Sequence, residues 1–226
     1  MKPLDESLHR RAFLGTMAAA AGMAALSSPI ELLAEQQAKP NRSLVEGLEK
    51  WLSRIKGRHR QVFDAPSTNG GLPLAWARVF LMSNMQMGVP AKKITSVLVL
   101  RHDAIPFAMN DDLWQKYDFG EAFNITYAMT KQRIKSNMFW KPKEELPIPR
   151  MSLDNLLEDG VLVGLCDLAL TVNSMHFAEK TKTSAEAIKK EWVAGIFPGV
   201  QIVPSGVLAI NRAQERKCTY CYAGEG

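Results

Sequence analysis

The sequence predicts an α/β sandwich with a mainly parallel sheet, and three observations carry that expectation. Short continuous apolar runs recur at 97–100 (VLVL), 161–165 (VLVGL) and 200–203 (VQIV), the pattern of strands covered on both faces. Helical periodicity fills the intervals between them, and strands alternating with helices favour a parallel sheet. The 226 residues are 46% hydrophobic and 23% charged, which excludes a mostly disordered chain and allows a real core without a disulfide scaffold.

From the amino end, residues 1–30 read as an export leader. Arg10 and Arg11 precede Phe13 and Leu14, and no residue from 12 to 30 is charged. This matches a twin-arginine export signal, with a small-x-small cleavage point at Ala25-Leu26-Ser27. A retained membrane helix is the competing reading. It is marginal against the roughly 20 strongly apolar residues a span requires, and Ser27-Ser28-Pro29 shorten it further. The expected location is the periplasm, reached by the twin-arginine pathway.

Residues 31–57 form a polar linker followed by an amphipathic helix over 43–56, where Leu44, Leu48, Leu52 and Ile55 recur at helical spacing. The domain proper is expected at 58–226. It opens with a strand at 60–65 (RQVFDA), ended by PSTNGG, and a helix over 72–87 with Leu74, Ala77, Leu81 and Met85 on one face. Gly88-Val89-Pro90 stops that helix. After the run at 97–100, the stretch 119–149 is rich in proline and reads as an irregular excursion over the surface. Ser152 is placed to cap a helix bearing Leu153, Leu156 and Leu157. A helix over 167–179 follows the second run, and Thr183 with Glu186 matches a capping box for a helix bearing Ile188, Trp192 and Ile196. A final helix at 206–217 leads to a last short strand at 219–222.

Composition narrows function. There are 28 Lys+Arg against 23 Asp+Glu, a formal net charge of +5. Without the leader about +4 remains, too weak and too scattered in sequence to argue for nucleic acid. No segment beyond the leader approaches membrane length. There is no G-x-G-x-x-G, P-loop, G-x-S-x-G or H-E-x-x-H, so no cofactor is expected. Met82, Met85 and Met87 have the softness of a copper(I) site but suit the end of a core helix better, and no metal is expected either.

In parallel sheets, ligands bind beyond the carboxyl ends of the strands. Arg101-His102-Asp103, Cys166-Asp167 and Pro204-Ser205-Gly206 follow the three apolar runs, and adjacent strands would bring them to one rim. Cys166 is the sharpest candidate: it stands where a buried strand gives way to a helix, whose amides favour a thiolate. A thiolate attacks sulfur and carries it as a persulfide. Free cysteine is also a common core residue. His102 is a candidate to activate the thiol, or is satisfied by a neighbouring carboxylate or backbone carbonyl. Arg101, with Ser205 and Gly206, is a candidate anion or ligand site, or Arg101 pairs with Asp103. Cys218 and Cys221 form a C-x-x-C spacing suited to a disulfide or redox pair. No second ligand pair accompanies it, which argues against tetrahedral zinc.

The stretches VLVLRHDAIPFAMNDD (97–112) and PGVQIVPSGVLAINRAQERKCTYCYAG (198–224), with GVLVGLC at 160–166, resemble an exported branch of the DsrE/DsrF-like family. The resemblance covers residues 58–224. It implies a three-layer α/β/α fold with a sheet of about five strands, assembly into trimers or hexamers, and a sulfur-relay role with persulfide held at the position of Cys166. The donor and acceptor of that sulfur are not implied by it. Two other function classes fit the same residues: a non-catalytic module binding a small molecule or anion on the rim, and a metal or redox accessory protein using Cys218 and Cys221. The export reading has a direct test. Replacing Arg10 and Arg11 with Lys should strand precursor in the cytoplasm, as read by cell fractionation, and normal export of that variant would remove the twin-arginine reading.

Overall fold

The computed structural model describes residues 41–126, 132–141 and 146–224; the expected leader lies outside them. Five strands form one sheet: β1 (His59–Ala65), β2 (Ile94–Leu100), β3 (Leu162–Cys166), β4 (Gln201–Val203) and β5 (Thr219–Tyr222). Their spatial order is β4-β3-β2-β1-β5, and every neighbouring pair is parallel. The chain thus steps outward from β1 to β4 and then returns past β1 to lay down β5. Eight helices belong to the described residues: α1 (Arg42–Leu52), α2 (Leu72–Gln86), α3 (Asp111–Tyr117), α4 (Phe119–Ala122), α5 (Leu153–Glu158), α6 (Asp167–Thr181), α7 (Ala185–Ala194) and α8 (Gly206–Glu215).

The direction of each crossover decides its layer, because parallel crossovers are right-handed. The outward steps put α2 through α7 on one face, and the single return puts α8 on the other. Side-chain alternation matches. Val62, Val97, Val99, Leu162 and Val203 point to α1 and α8, where Leu52, Ala209 and Ala213 are fully buried. Phe63, Leu98, Leu100, Val163 and Leu165 point to the opposite layer. All seven residues of β2 are buried, as expected for a strand with neighbours on both sides and helices on both faces. The architecture is the three-layer α/β/α fold expected, with an all-parallel sheet.

Four expectations need correction. The helix expected in the linker belongs to the domain: the compact unit begins at Ser43, and Leu48, Trp51 and Leu52 of α1 are buried against the sheet. Gly164 makes room for this, since a Cβ there would fall 3.0 Å from the Trp51 indole. Next, the described residues of 119–149 are no surface excursion. Phe119, Ile125, Ile134 and Phe139 are core residues, and their irregular spacing hides them from a periodicity argument. The capping box is displaced by one residue. Ser184, not Thr183, caps α7, its hydroxyl accepting from the Ala187 N–H at 3.2 Å, while Thr183 donates back to the Thr181 carbonyl. Finally, Met85 lies on the exposed side of α2, although Leu74, Ala77 and Leu81 are buried as expected.

Asn137 anchors the irregular segment. Its side-chain amide donates to the carbonyls of Phe107 (2.9 Å) and Met109 (2.8 Å), and its oxygen accepts from the Phe139 N–H (3.0 Å). The residue is 6% exposed, so removing the amide leaves buried partners unsatisfied. Asn137→Ala should lower stability by about 2–3 kcal/mol, the penalty for orphaned buried polar groups, measured by denaturant unfolding. An unchanged midpoint would show that water satisfies these groups.

Candidate functional site at the carboxyl edge

Cys166 is the last residue of β3 and the N-cap of the fifteen-residue α6. Its Sγ accepts the Ala169 N–H at 3.3 Å, and the residue is 5% exposed. A cysteine fills the role usually taken by serine or aspartate, so one first-turn amide and the helix dipole both bear on the sulfur. Asp167 follows directly, and a free carboxylate there would oppose a thiolate. Instead Lys189 of α7 holds it at 2.8 Å and also donates to the Thr171 hydroxyl at 2.9 Å. The sulfur therefore sits beside a neutralised carboxylate, within the apolar cluster on the α6 side of the sheet.

Arg101 follows β2 and turns to the opposite layer. Its Nε and Nη2 donate to the two carboxylate oxygens of Asp64 at 2.6 and 3.0 Å, and the Tyr220 hydroxyl donates to Asp64 Oδ2 at 2.8 Å. Asp64 is only 4% exposed; a buried carboxylate persists when its lone pairs are filled in this way. The bond to Asp64 raises the Arg101 pKa. Burial first, then the bond to Asp64, pushes the Tyr220 hydroxyl up to about 12. The expected pairing of Arg101 with Asp103 gives way to Asp64. The stem of Arg101 runs beneath the first turn of α8: a Cβ on Gly206 would fall 2.8 Å from the Arg101 Cβ. Ser205 caps α8, accepting from the Leu208 N–H at 3.1 Å. Arg101, Ser205 and Gly206 are thus brought together, with Asp64 and Tyr220 added. The signal for Asp64 is a carboxylate set between Phe63 and Ala65 in the strand expected at 60–65; nothing in the pattern marks Tyr220.

The other two expectations fare differently. His102 does not join Cys166. A left-handed backbone (φ 50°) turns its ring outward, leaving it 58% exposed with Nδ1 3.1 Å from Asp103. That bond raises its pKa, and no hydrogen bond among the described residues links it to the thiol. β2, β3 and β4 are neighbours, so the three sets share the carboxyl edge as expected, but Arg101 and Cys166 face opposite layers of the sheet and do not meet.

Cys218 and Cys221 are free thiols. Strand alternation places residues three apart on opposite faces. Cys218 is buried in the α1/α8 layer, and Cys221 packs against the other. The expected disulfide is not formed, because no turn between them brings the sulfurs to one side.

A comparison with protein-family models and with curated proteins finds no match. Among the described residues, no three His, Cys, Asp or Glu side chains gather in a metal-ligating group, and no helix is long and apolar enough to cross a membrane.

Cys218 and Cys221 should differ sharply in reactivity. Burial pushes the Cys218 thiol up to about 11 and raises Cys221 as well. In native protein, iodoacetamide should label the half-buried Cys221 well before Cys218. The Cys218 rate should climb as pH approaches 11, because only the thiolate reacts. Peptide mass spectrometry reads the order, and failure of both to label until a reductant is added would restore the disulfide.

Proposed function

We propose that this protein is an exported, homo-oligomeric member of the DsrE/DsrF-like family that carries sulfane sulfur in the periplasm, with Cys166 as the catalytic residue. The observation that carries the reading is the position of Cys166 Sγ as the cap of α6, receiving the Ala169 N–H while Lys189 neutralises Asp167. The first puts a hydrogen-bond donor on the sulfur and the second removes an opposing charge beside it, at the atom that would act as the nucleophile in sulfur exchange. Arg101 fits a binding role less well, since Asp64 already occupies its guanidinium.

The chemistry balances without an external oxidant. The Cys166 thiolate attacks the terminal sulfur of a persulfide R–S–SH. A sulfur–sulfur bond forms to Cys166 as the bond to R–S breaks, and R–S⁻ leaves. Delivery is the reverse exchange with an acceptor thiolate. Burial of the site serves this chemistry by keeping a bound persulfide away from solvent thiols. His102 takes no part in the exchange, because its ring turns to Asp103 and solvent.

Glutathione persulfide is a suitable probe. After brief exposure and non-reducing digestion, the peptide holding Cys166 should gain the mass of one sulfur atom. Cys166→Ser should lose that gain yet keep its fold, because serine is itself a good N-cap and its hydroxyl can accept the Ala169 N–H. Sulfur appearing on Cys221 alone, with Cys166 unmodified in folded protein, would overturn the reading.

A further inference from the structure

The modest net charge is not spread over the surface. Residues 50–60 (KWLSRIKGRHR) contain no Asp or Glu, residues 92–93 are both Lys, and Arg216-Lys217 precede the last strand. These stretches lead into β1, β2 and β5, which are neighbours in the sheet. Because every strand is parallel, all three leads lie at the amino edge, opposite the edge that holds Cys166.

Backbone contacts weld the leads together. The Arg58 N–H donates to the Lys93 carbonyl at 2.8 Å. The Lys56 N–H donates to Thr95 Oγ1 at 3.1 Å, and that hydroxyl donates back to the Lys56 carbonyl. Gly57, at φ 84°, packs on the Lys93 backbone with no room for a Cβ. On the other side, Arg60 Nη1 donates to the Arg216 carbonyl at 2.8 Å. Neighbouring strands lie about 4.8 Å apart, so the three leads form one continuous platform. The nearby carboxylates are engaged: Glu49 by Arg216 and Glu215 by Arg212, each at 2.8 Å. Arg54, Lys56, Arg58, Lys92, Lys93 and Lys217 are exposed and form no salt bridge among the described residues.

We propose that this amino-edge platform is an electrostatic docking surface for an anionic lipid bilayer. Four of the six free cations are Lys, compact hydrated charges rather than the planar forks that read a fixed phosphate or carboxylate pair. They stand in the turns and the short helical turn Ala91–Lys93 that lead into the three strands. The one Phe, Tyr or Trp in 50–60, Trp51, is buried, so the platform lacks the exposed aromatic series on which single-stranded nucleic acid stacks. An array of exposed cations outside any salt bridge complements a laterally mobile sheet of negative headgroups. Docked this way, the protein turns its carboxyl edge, and Cys166, away from the membrane. The proposal does not depend on the sulfur chemistry.

The test is co-sedimentation of the purified full-length chain with vesicles of phosphatidylglycerol mixed with phosphatidylcholine, and with phosphatidylcholine alone. Residues 1–40 are present throughout and contribute equally to every arm. The chain should bind the mixed vesicles, be released by added salt, and bind phosphatidylcholine alone far less. Lys92→Ala/Lys93→Ala should lower the partition coefficient roughly thirtyfold, the expectation for two cations at a charged surface. Arg54→Gln/Arg58→Gln provides an independent second pair, and circular dichroism confirms that each variant is folded. Equal binding by folded variants, or equal binding to uncharged vesicles, would overturn the proposal. So would a failure to bind vesicles combined with binding of single-stranded DNA or polyphosphate that the same substitutions abolish.

Discussion

A parallel sheet with neighbours on both sides has no face it can leave to water, and this constraint organises the molecule. β2 meets it most completely, with every residue buried. Three outward crossovers of fixed hand supply helices to one face only. The other face depends on the single return through α8 and on α1, which reaches the sheet before the first strand forms. That is why the Leu48, Trp51 and Leu52 stripe belongs to the core, and why β3 carries glycine at 164, where Trp51 presses against it.

Parallel strands also make the two edges chemically different. At the carboxyl edge, chain turns deliver side chains into the starts of helices, and the polar groups there are already engaged: Cys166 with an amide, Asp167 with Lys189, Asp64 with Arg101 and Tyr220. At the amino edge, the leads are tied by a backbone bond, the Thr95 hydroxyl and the Arg60 guanidinium, leaving six other long cationic side chains to solvent. A buried carboxylate such as Asp64 contributes little net stability against an apolar substitute, but stripping it of a partner is costly. Its role is to fix where Arg101 lies beneath α8.

Much of the fold was legible because buried parallel strands announce themselves as apolar runs. All five strands and the long helices lie where periodicity placed them, within a few residues. Legibility failed where burial had no period. Phe119, Ile125, Ile134 and Phe139 enter the core from an irregular segment held by Asn137, whose partners are backbone carbonyls distant in sequence. In the candidate site, the positions of Cys166 and Arg101 at strand ends could be read, but their directions could not. The outward turn of His102 depends on one left-handed backbone angle, and the partner of Arg101 lies 37 positions away, on a neighbouring strand.

The edge strand β5 and the residue just before it place Cys221 and Cys218 on opposite sides of a sheet one residue thick. Proteins open in cooperative pieces, each with its own free energy. Two thiols three positions apart, at the start of one short strand and within it, therefore belong to different pieces: one shielded by the helices that flank the first and last strands, the other by the larger helical layer. The peeling of each layer is written in the shielding of its own sulfur, so the protein contains a paired internal gauge of how independently its two halves breathe.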